Sequence, residues 1–264
     1  MHLSEIWIYP VKSLGGISLP SARIAEKGLL HDRRWMLVDE NGVFMTQRWV
    51  PKMALFKVSM AGTFDSAEFR VVHGSDTITL PARPEGFGER ATIWDDTVTV
   101  VEPSAEHSAW FSEHLSMNCR LVYFPESHAR PVDPQYSFND EHVSLADAYP
   151  FLIIGQSSLN DLNDRLEHPL PMNRFRPNLV FTGGLPYEED RWREFSIGNN
   201  RFVGVKPCAR CILTTINQDT AEQGKEPLRT LARYRSRNNK IYFGQNAVAV
   251  DHGEIKKGDE INIG

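Results

Sequence analysis

Three cysteines in 264 residues are too few, and odd in number, for a disulfide framework. A reducing compartment, the cytoplasm, is the expected home. Long apolar runs are missing too: the longest, such as Tyr149 to Ile154, have core-strand length and fall short of the roughly 18 residues of a membrane helix, so no membrane span is expected. Surplus positive charge is also lacking. Basic residues number 29 against 34 acidic ones, a net charge of −5, which argues against a nucleic acid as partner. Met1-His2-Leu3-Ser4-Glu5 has neither the basic nor the apolar stretch of a secretory signal, and no internal repeat or low-complexity tract occurs. What is present is a globular composition, 41% hydrophobic and 24% charged, long enough for one large domain or two modest ones.

The patterning is mainly β. Glu5 to Tyr9, Trp35 to Asp39, Val43 to Thr46, Phe56 to Met60, Glu68 to Val72, Thr77 to Leu80 and Thr97 to Val101 read as short strands at the spacing of a small barrel or sandwich. Asn41-Gly42 predicts a tight hairpin with both residues at positive φ. Helices are expected over Ser104 to Leu115 and Ser157 to Leu166, each capped by its serine. Between them come a strand over Arg120 to Phe124, a linker or mobile loop over Pro125 to Asp140 and a strand over Pro150 to Ile154. Further strands are expected at Leu179 to Thr182, Phe202 to Val205, Ile212 to Ile216, Ile241 to Phe243 and Ala247 to Val250.

Cys208-Ala209-Arg210-Cys211 is the most conspicuous local feature. Structural zinc needs four ligands, and the remaining cysteine, Cys119, has no histidine at ligand spacing nearby. A dithiol redox pair belongs at a helix N-terminus, whereas the β-branched run Ile212 to Ile216 reads as a strand. Two buried small hydrophobes remain as an open reading. Elsewhere Tyr9-Pro10-Val11-Lys12-Ser13 runs into Gly15-Gly16, a lysine, a hydroxyl and accessible amides that suit an anion or form a plain turn. Arg33-Arg34 and the pair Arg174 and Arg176 precede strands, and one arginine of each pair could face inward as a phosphate fork or stay on the surface. The nine histidines form no metal-binding spacing, and Glu188-Glu189-Asp190 reads as a solvated loop.

Taken together, Tyr-Pro-Val-Lys-Ser from Tyr9, Asp32-Arg33 before the Trp35 strand, Asn-Arg-Phe-Arg-Pro-Asn from Asn173, Cys-Ala-Arg-Cys-Ile-Leu-Thr-Thr from Cys208 and Phe-Gly-Gln-Asn from Phe243 resemble the MOSC proteins that carry a MOSC N-terminal β-barrel domain. Order and spacing match over nearly the whole chain, with most similarity to bacterial relatives of the mitochondrial amidoxime-reducing component. The cysteine segment is highly specific; the others are individually weak. The resemblance implies a mainly β (α+β) fold: a barrel-like domain over 1–119, a MOSC β-barrel with a few helices over 120–264, and a mononuclear molybdenum pterin cofactor at their junction. It makes Cys211 the metal ligand and catalytic residue, with Cys208 in support. Lys12, Ser13, Arg33 and Arg176 match positions that hold the cofactor's phosphate and pterin edge, and Asp147, Ala148, Tyr149, Arg210 and Asn246 match further cofactor contacts. Asp-Ala-Tyr stands at 147–149 where relatives often carry hydroxyl residues, so backbone contacts are expected there. The implied reaction removes oxygen from a small N-hydroxylated substrate, an amidoxime or an N-hydroxylated base. Its electrons come from a separate reductase or electron-transfer protein, since no cysteine spacing after Cys211 could hold an iron–sulfur cluster. The alternative is cofactor binding or sulfur carriage without reductase turnover, because MOSC domains also end molybdenum-cofactor sulfurases.

Overall fold

Trp35-Met36-Leu37-Val38 is apolar without interruption because both its faces are covered. In the computed structural model, which describes residues 1–264, the strand Trp35–Val38 is buried throughout. Trp35 and Leu37 point into one core with Leu121 and Tyr123 of the strand Arg120–Tyr123, and Met36 and Val38 into another with Val122. Asp96–Glu102 and Phe87–Ile93 complete this four-stranded sheet, and Lys57–Ala61, Glu68–His73 and Asp76–Pro81 form an antiparallel meander beside it. The helix Ala105–Leu115 closes the first core with Phe111 and Leu115. No helix is long and apolar enough to cross a membrane.

The largest sheet has nine strands and a core drawn from both ends of the chain. Its order is Ile261–Ile263, Glu194–Ile197, Asn200–Arg210, Lys240–Ala249, Phe151–Gly155, Leu179–Thr182, His2–Ile8 and Ile17–Leu19, with Ser236–Arg237 pairing Lys240–Ala249. Strand pairing runs across residue 119 in both directions. His2–Ile8 pairs with Leu179–Thr182 and Ser21–Ala25 with Glu254–Lys256, while Arg120–Tyr123 joins first-half strands. Leu3, Ile6, Ile8 and Ile24 pack with Phe151, Phe181 and Phe202. Each such side chain contributes about 1.5–3 kcal/mol by leaving water, so the second half depends on the first for its core.

Several local expectations change in the structure. Ile212–Thr215 is a single 3-10 turn and not a strand, because the hydroxyls of Thr214 and Thr215 donate to the carbonyls of Cys211 and Ile212 at 3.0 and 2.7 Å. The second helix is Gln156–Asn163 with Gly155 as its cap, the Ser157 hydroxyl is buried without a partner, and Ser104 makes no capping bond. At the hairpin only Gly42 takes positive φ, while Asp39 Oδ1 accepts the N–H groups of Asn41 and Val43, and Val43 to Thr46 contributes isolated bridges. Residues 125–140 are irregular but anchored, with Arg130 and Val132 buried. Glu189 is fully buried, accepts the single proton of the Ser158 hydroxyl, whose oxygen lies 2.9 Å from both carboxylate oxygens, and is pushed up to about 6 by burial, so the acidic run is not a solvated loop.

The expected strands Ile241 to Phe243 and Ala247 to Val250 are one strand, Lys240–Ala249, opposite the eleven-residue strand Asn200–Arg210. Gly244 makes that continuity possible. It sits at φ 82°, and a Cβ there would lie 2.7 Å from Cγ1 of Ile154 and 3.1 Å from the Ile153 carbonyl. Gly244→Ala is expected to cost about 1–3 kcal/mol, read as a lower urea midpoint; an unchanged midpoint would refute the need for glycine there.

Candidate functional site

Backbone hydrogen bonds bring distant segments to one place. Lys12 N–H donates to the Trp35 carbonyl, Arg33 N–H to Tyr9 and Leu145 N–H to Arg33, so 9–13, 31–35 and 145–149 run side by side. Trp7 N–H donates to Asn178 and Asn178 N–H to Leu152, which places the turn 173–178 against them. Where these meet the end of Asn200–Arg210, a cavity of about 410 Å³ opens. All ten residues expected from the sequence line it: Lys12, Ser13, Arg33, Asp147, Ala148, Tyr149, Arg176, Arg210, Cys211 and Asn246.

The arginine pairs are resolved by turns and not by strand alternation. Arg33 at φ 48° and Arg176 at φ 54° adopt left-handed conformations, and both line the cavity. Their guanidiniums lie over the ring of Tyr9, each 4.2 Å from its centroid, while the Tyr9 hydroxyl donates to the Pro177 carbonyl at 3.1 Å. Arg34 instead pairs with Glu126 at 2.6 Å, and Arg174 donates to the Thr214 carbonyl at 2.9 Å, so these two hold the scaffold.

Cys211 lies at the mouth of the 3-10 turn, and Cys208 accepts a hydrogen bond from Arg210 Nη1 at 3.0 Å. Both thiols are free. Missed from the sequence were Arg48, Lys206, Lys240 and Asn178, all in the lining. Arg48 matters most: its Nε donates to the Cys211 sulfur at 3.2 Å and its Nη2 to Asp147 Oδ2 at 2.6 Å. Lys12 Nζ donates to Asp147 Oδ1 at 2.6 Å and to the Leu145 carbonyl at 2.8 Å. Asp147 thus bridges two cations and organises the donors around the cavity. Arg130, buried behind it, holds the turn by donating to the carbonyls of Ser144, Ala146 and Asp147 at 2.9, 2.6 and 3.3 Å.

Charge in the lining is lopsided. Seven cationic side chains face two carboxylates, and the ion pairs they make are Lys12 and Arg48 with Asp147 and Arg33 with Asp32. Arg176, Lys206, Arg210 and Lys240 have no carboxylate partner, and Nε of Arg210 is buried without an acceptor. Burial lowers Arg176 to about 10. Burial would raise Asp147, but Lys12 and Arg48 outweigh it and hold its carboxyl well below the usual range. Such a lining fits a ligand with several negative charges.

Lys12 carries a testable consequence. Burial lowers it from 10.5 to about 8 against the pull of Asp147, so between those pH values the folded state binds fewer protons than the unfolded chain, and stability rises with pH. Below pH 8 the buried ammonium costs about 3 kcal/mol. Denaturation of ligand-free protein is therefore expected to show wild type gaining up to about 3 kcal/mol on Lys12→Met from pH 8 to 10.5. A flat difference across that window would contradict the assignment.

Comparison with known proteins places these features in context. The MOSC domain model matches residues 140–262, and the model of the MOSC N-terminal beta barrel domain matches residues 1–118. The chain is 33% identical to mitochondrial amidoxime-reducing component 1 of Mus musculus, an alignment covering 99% of this chain and 82% of that protein. The human protein of the same name gives the same identity and coverage. Molybdenum cofactor sulfurase of Arabidopsis thaliana is 31% identical over 92% of this chain, which spans only 32% of that longer protein.

Proposed function

Because the chain belongs to the MOSC family and matches its N-terminal barrel domain as well, we propose that it binds a molybdenum pterin cofactor through Cys211 and reduces small N-hydroxylated compounds, amidoximes among them, with electrons from a separate reductase or electron-transfer protein. The cytoplasmic placement expected from the sequence belongs to the same reading. The observation that carries it is the meeting of the Cys211 sulfur with unpaired cations in one cavity built from both halves of the chain. No group of three or more His, Cys, Asp or Glu side chains is placed to hold a metal alone. A lone thiolate suits a metal whose other ligands come from an organic group, and the cations suit that group's phosphate.

When bound, such a cofactor supplies a two-electron centre for taking oxygen from an N–OH group, with two protons and two electrons converting it to N–H and water. The chain's own residues bind and orient. Arg33 and Arg176, braced on Tyr9, present guanidinium forks to a phosphate, and Lys12 adds a third cation. Asn246 is held by its own bond to the Lys206 carbonyl at 3.1 Å, leaving its oxygen as an acceptor at the wall.

The similarity to sulfurases favours a second reading, in which the chain binds or relays cofactor without turnover. Protein expressed in a cofactor-competent host separates the two. Stoichiometric molybdenum and pterin, with amidoxime reduction driven by an artificial reductant, supports the reductase. Bound cofactor without turnover supports the carrier, and no molybdenum or pterin refutes both.

A further inference from the structure

Arg48 is held from several directions. Its Nη1 donates to Thr46 Oγ1 at 3.1 Å, its Nη2 to Asp147 Oδ2 at 2.6 Å, and its guanidinium lies over the Trp94 ring, 4.9 Å from the centroid. Trp94 Nε1 also donates to Asp147 Oδ1 at 3.3 Å, and Lys12 fixes that carboxylate from the other side. The Arg48 side chain is only 13% accessible. With those contacts made, the Nε–H is left to the Cys211 sulfur, 3.2 Å away. A cation needed only to neutralise Asp147 would not require this arrangement, since Lys12 already does so. The fork geometry of arginine is used on both edges: one faces a carboxylate, the other a thiol.

We propose that Arg48 is a positioning residue for Cys211, with Asp147 and Trp94 setting its direction, so that the sulfur keeps a single orientation towards the cavity. This rests on the reading of Cys211 as the molybdenum ligand, although the orientation itself belongs to the chain alone. A hydrogen bond to a coordinating sulfur draws charge from it, as supporting residues around metal sites do. Removing Arg48 therefore acts on the metal through the thiolate while leaving Arg33 and Arg176 in place for the cofactor's phosphate.

Two measurements test the inference. In metal-free protein labelled with [3-¹³C]cysteine, the wild type is expected to give one sharp Cys211 resonance, assigned by its loss in Cys211→Ala. Arg48→Ala should split or broaden it, Arg48→Lys should restore it only in part, and Asp147→Asn should disturb it in the same direction. In loaded protein, Arg48→Ala is expected to keep its cofactor but to lose about 10- to 100-fold in activity, and Arg48→Lys to shift the Mo(V) paramagnetic resonance spectrum. A single unshifted Cys211 resonance in a folded Arg48→Ala protein overturns the proposal, whether or not molybdenum binds. If wild type holds no molybdenum while the resonance behaves as expected, the cofactor reading fails and the positioning role stands.

Discussion

Cys211→Ala is expected to give a folded protein that holds less molybdenum, in step with its pterin, and reduces N-hydroxylated substrates only at the reagent background. The stability cost is small because Cys211 is half-buried, belongs to no core cluster, and its sulfur receives only the Arg48 N–H. A surface-lining change of this kind costs about 1 kcal/mol or less. The functional loss is large because no other thiol can take the place of Cys211. Cys119 is buried in the first core, and Cys208 sits on the strand Asn200–Arg210, ahead of the turn that presents Cys211. Pterin is expected to persist in reduced amount, since Lys12, Arg33 and Arg176 remain. Metal analysis, pterin fluorescence after oxidation and turnover with artificial reductant read the outcome together. Cys208→Ala should lose about 10- to 100-fold in activity, as for a supporting residue, and keep turnover above the background. Wild-type turnover in Cys211→Ala would end the assignment of that residue.

Arg130→Ala is expected to destabilise the protein by about 3–5 kcal/mol and to loosen the cavity wall. Arg130 is 4% exposed and donates to three carbonyls of the turn 144–147. Bonds from a charged donor contribute about 1.5–3 kcal/mol each, and carbonyls left dry cost more than carbonyls that reach water. The pair with Asp96 adds little, because that carboxylate is half exposed. Arg130→Lys should recover little, since one ammonium cannot span acceptors that a guanidinium fork reaches. Denaturant melts and cofactor retention measure both effects. A loss below 1 kcal/mol with full retention would mean that the turn holds without Arg130.

What the sequence could show depended on whether the information was local. Trp35 to Val38 and Leu179 to Thr182 were legible because burial writes itself into apolar runs. Phe87–Ile93 was not: Gly86, Gly88 and the charged Glu89 and Arg90 hide a strand that hydrogen-bonding to Asp96–Glu102 secures. Thr214 and Thr215 read as strand formers until their hydroxyls find the carbonyls three residues back. Among the cavity residues, those in recognisable segments were found. Arg48 was invisible, because the partners that give it meaning lie 99 and 163 positions away in the chain. Glu189 escaped for the same reason, its burial being set by Ser158 on another element.

The pairing of His2–Ile8 with Leu179–Thr182, and of Ser21–Ala25 with Glu254–Lys256, also sets a timetable for synthesis. A ribosome adding about 5–20 residues per second leaves the first strand waiting on the order of 10 s or longer for its partner. During that interval Leu3, Ile6 and Ile8 lack the core they enter in the native fold. The edge that will take Leu179–Thr182 is open to other chains, the opposite edge having only the short strand Ile17–Leu19. Pairing across such separations is slow even in the finished chain. Holding factors that cover the nascent N-terminus, or slower translation in the cold, should therefore raise the yield of native protein more than any substitution at the cavity.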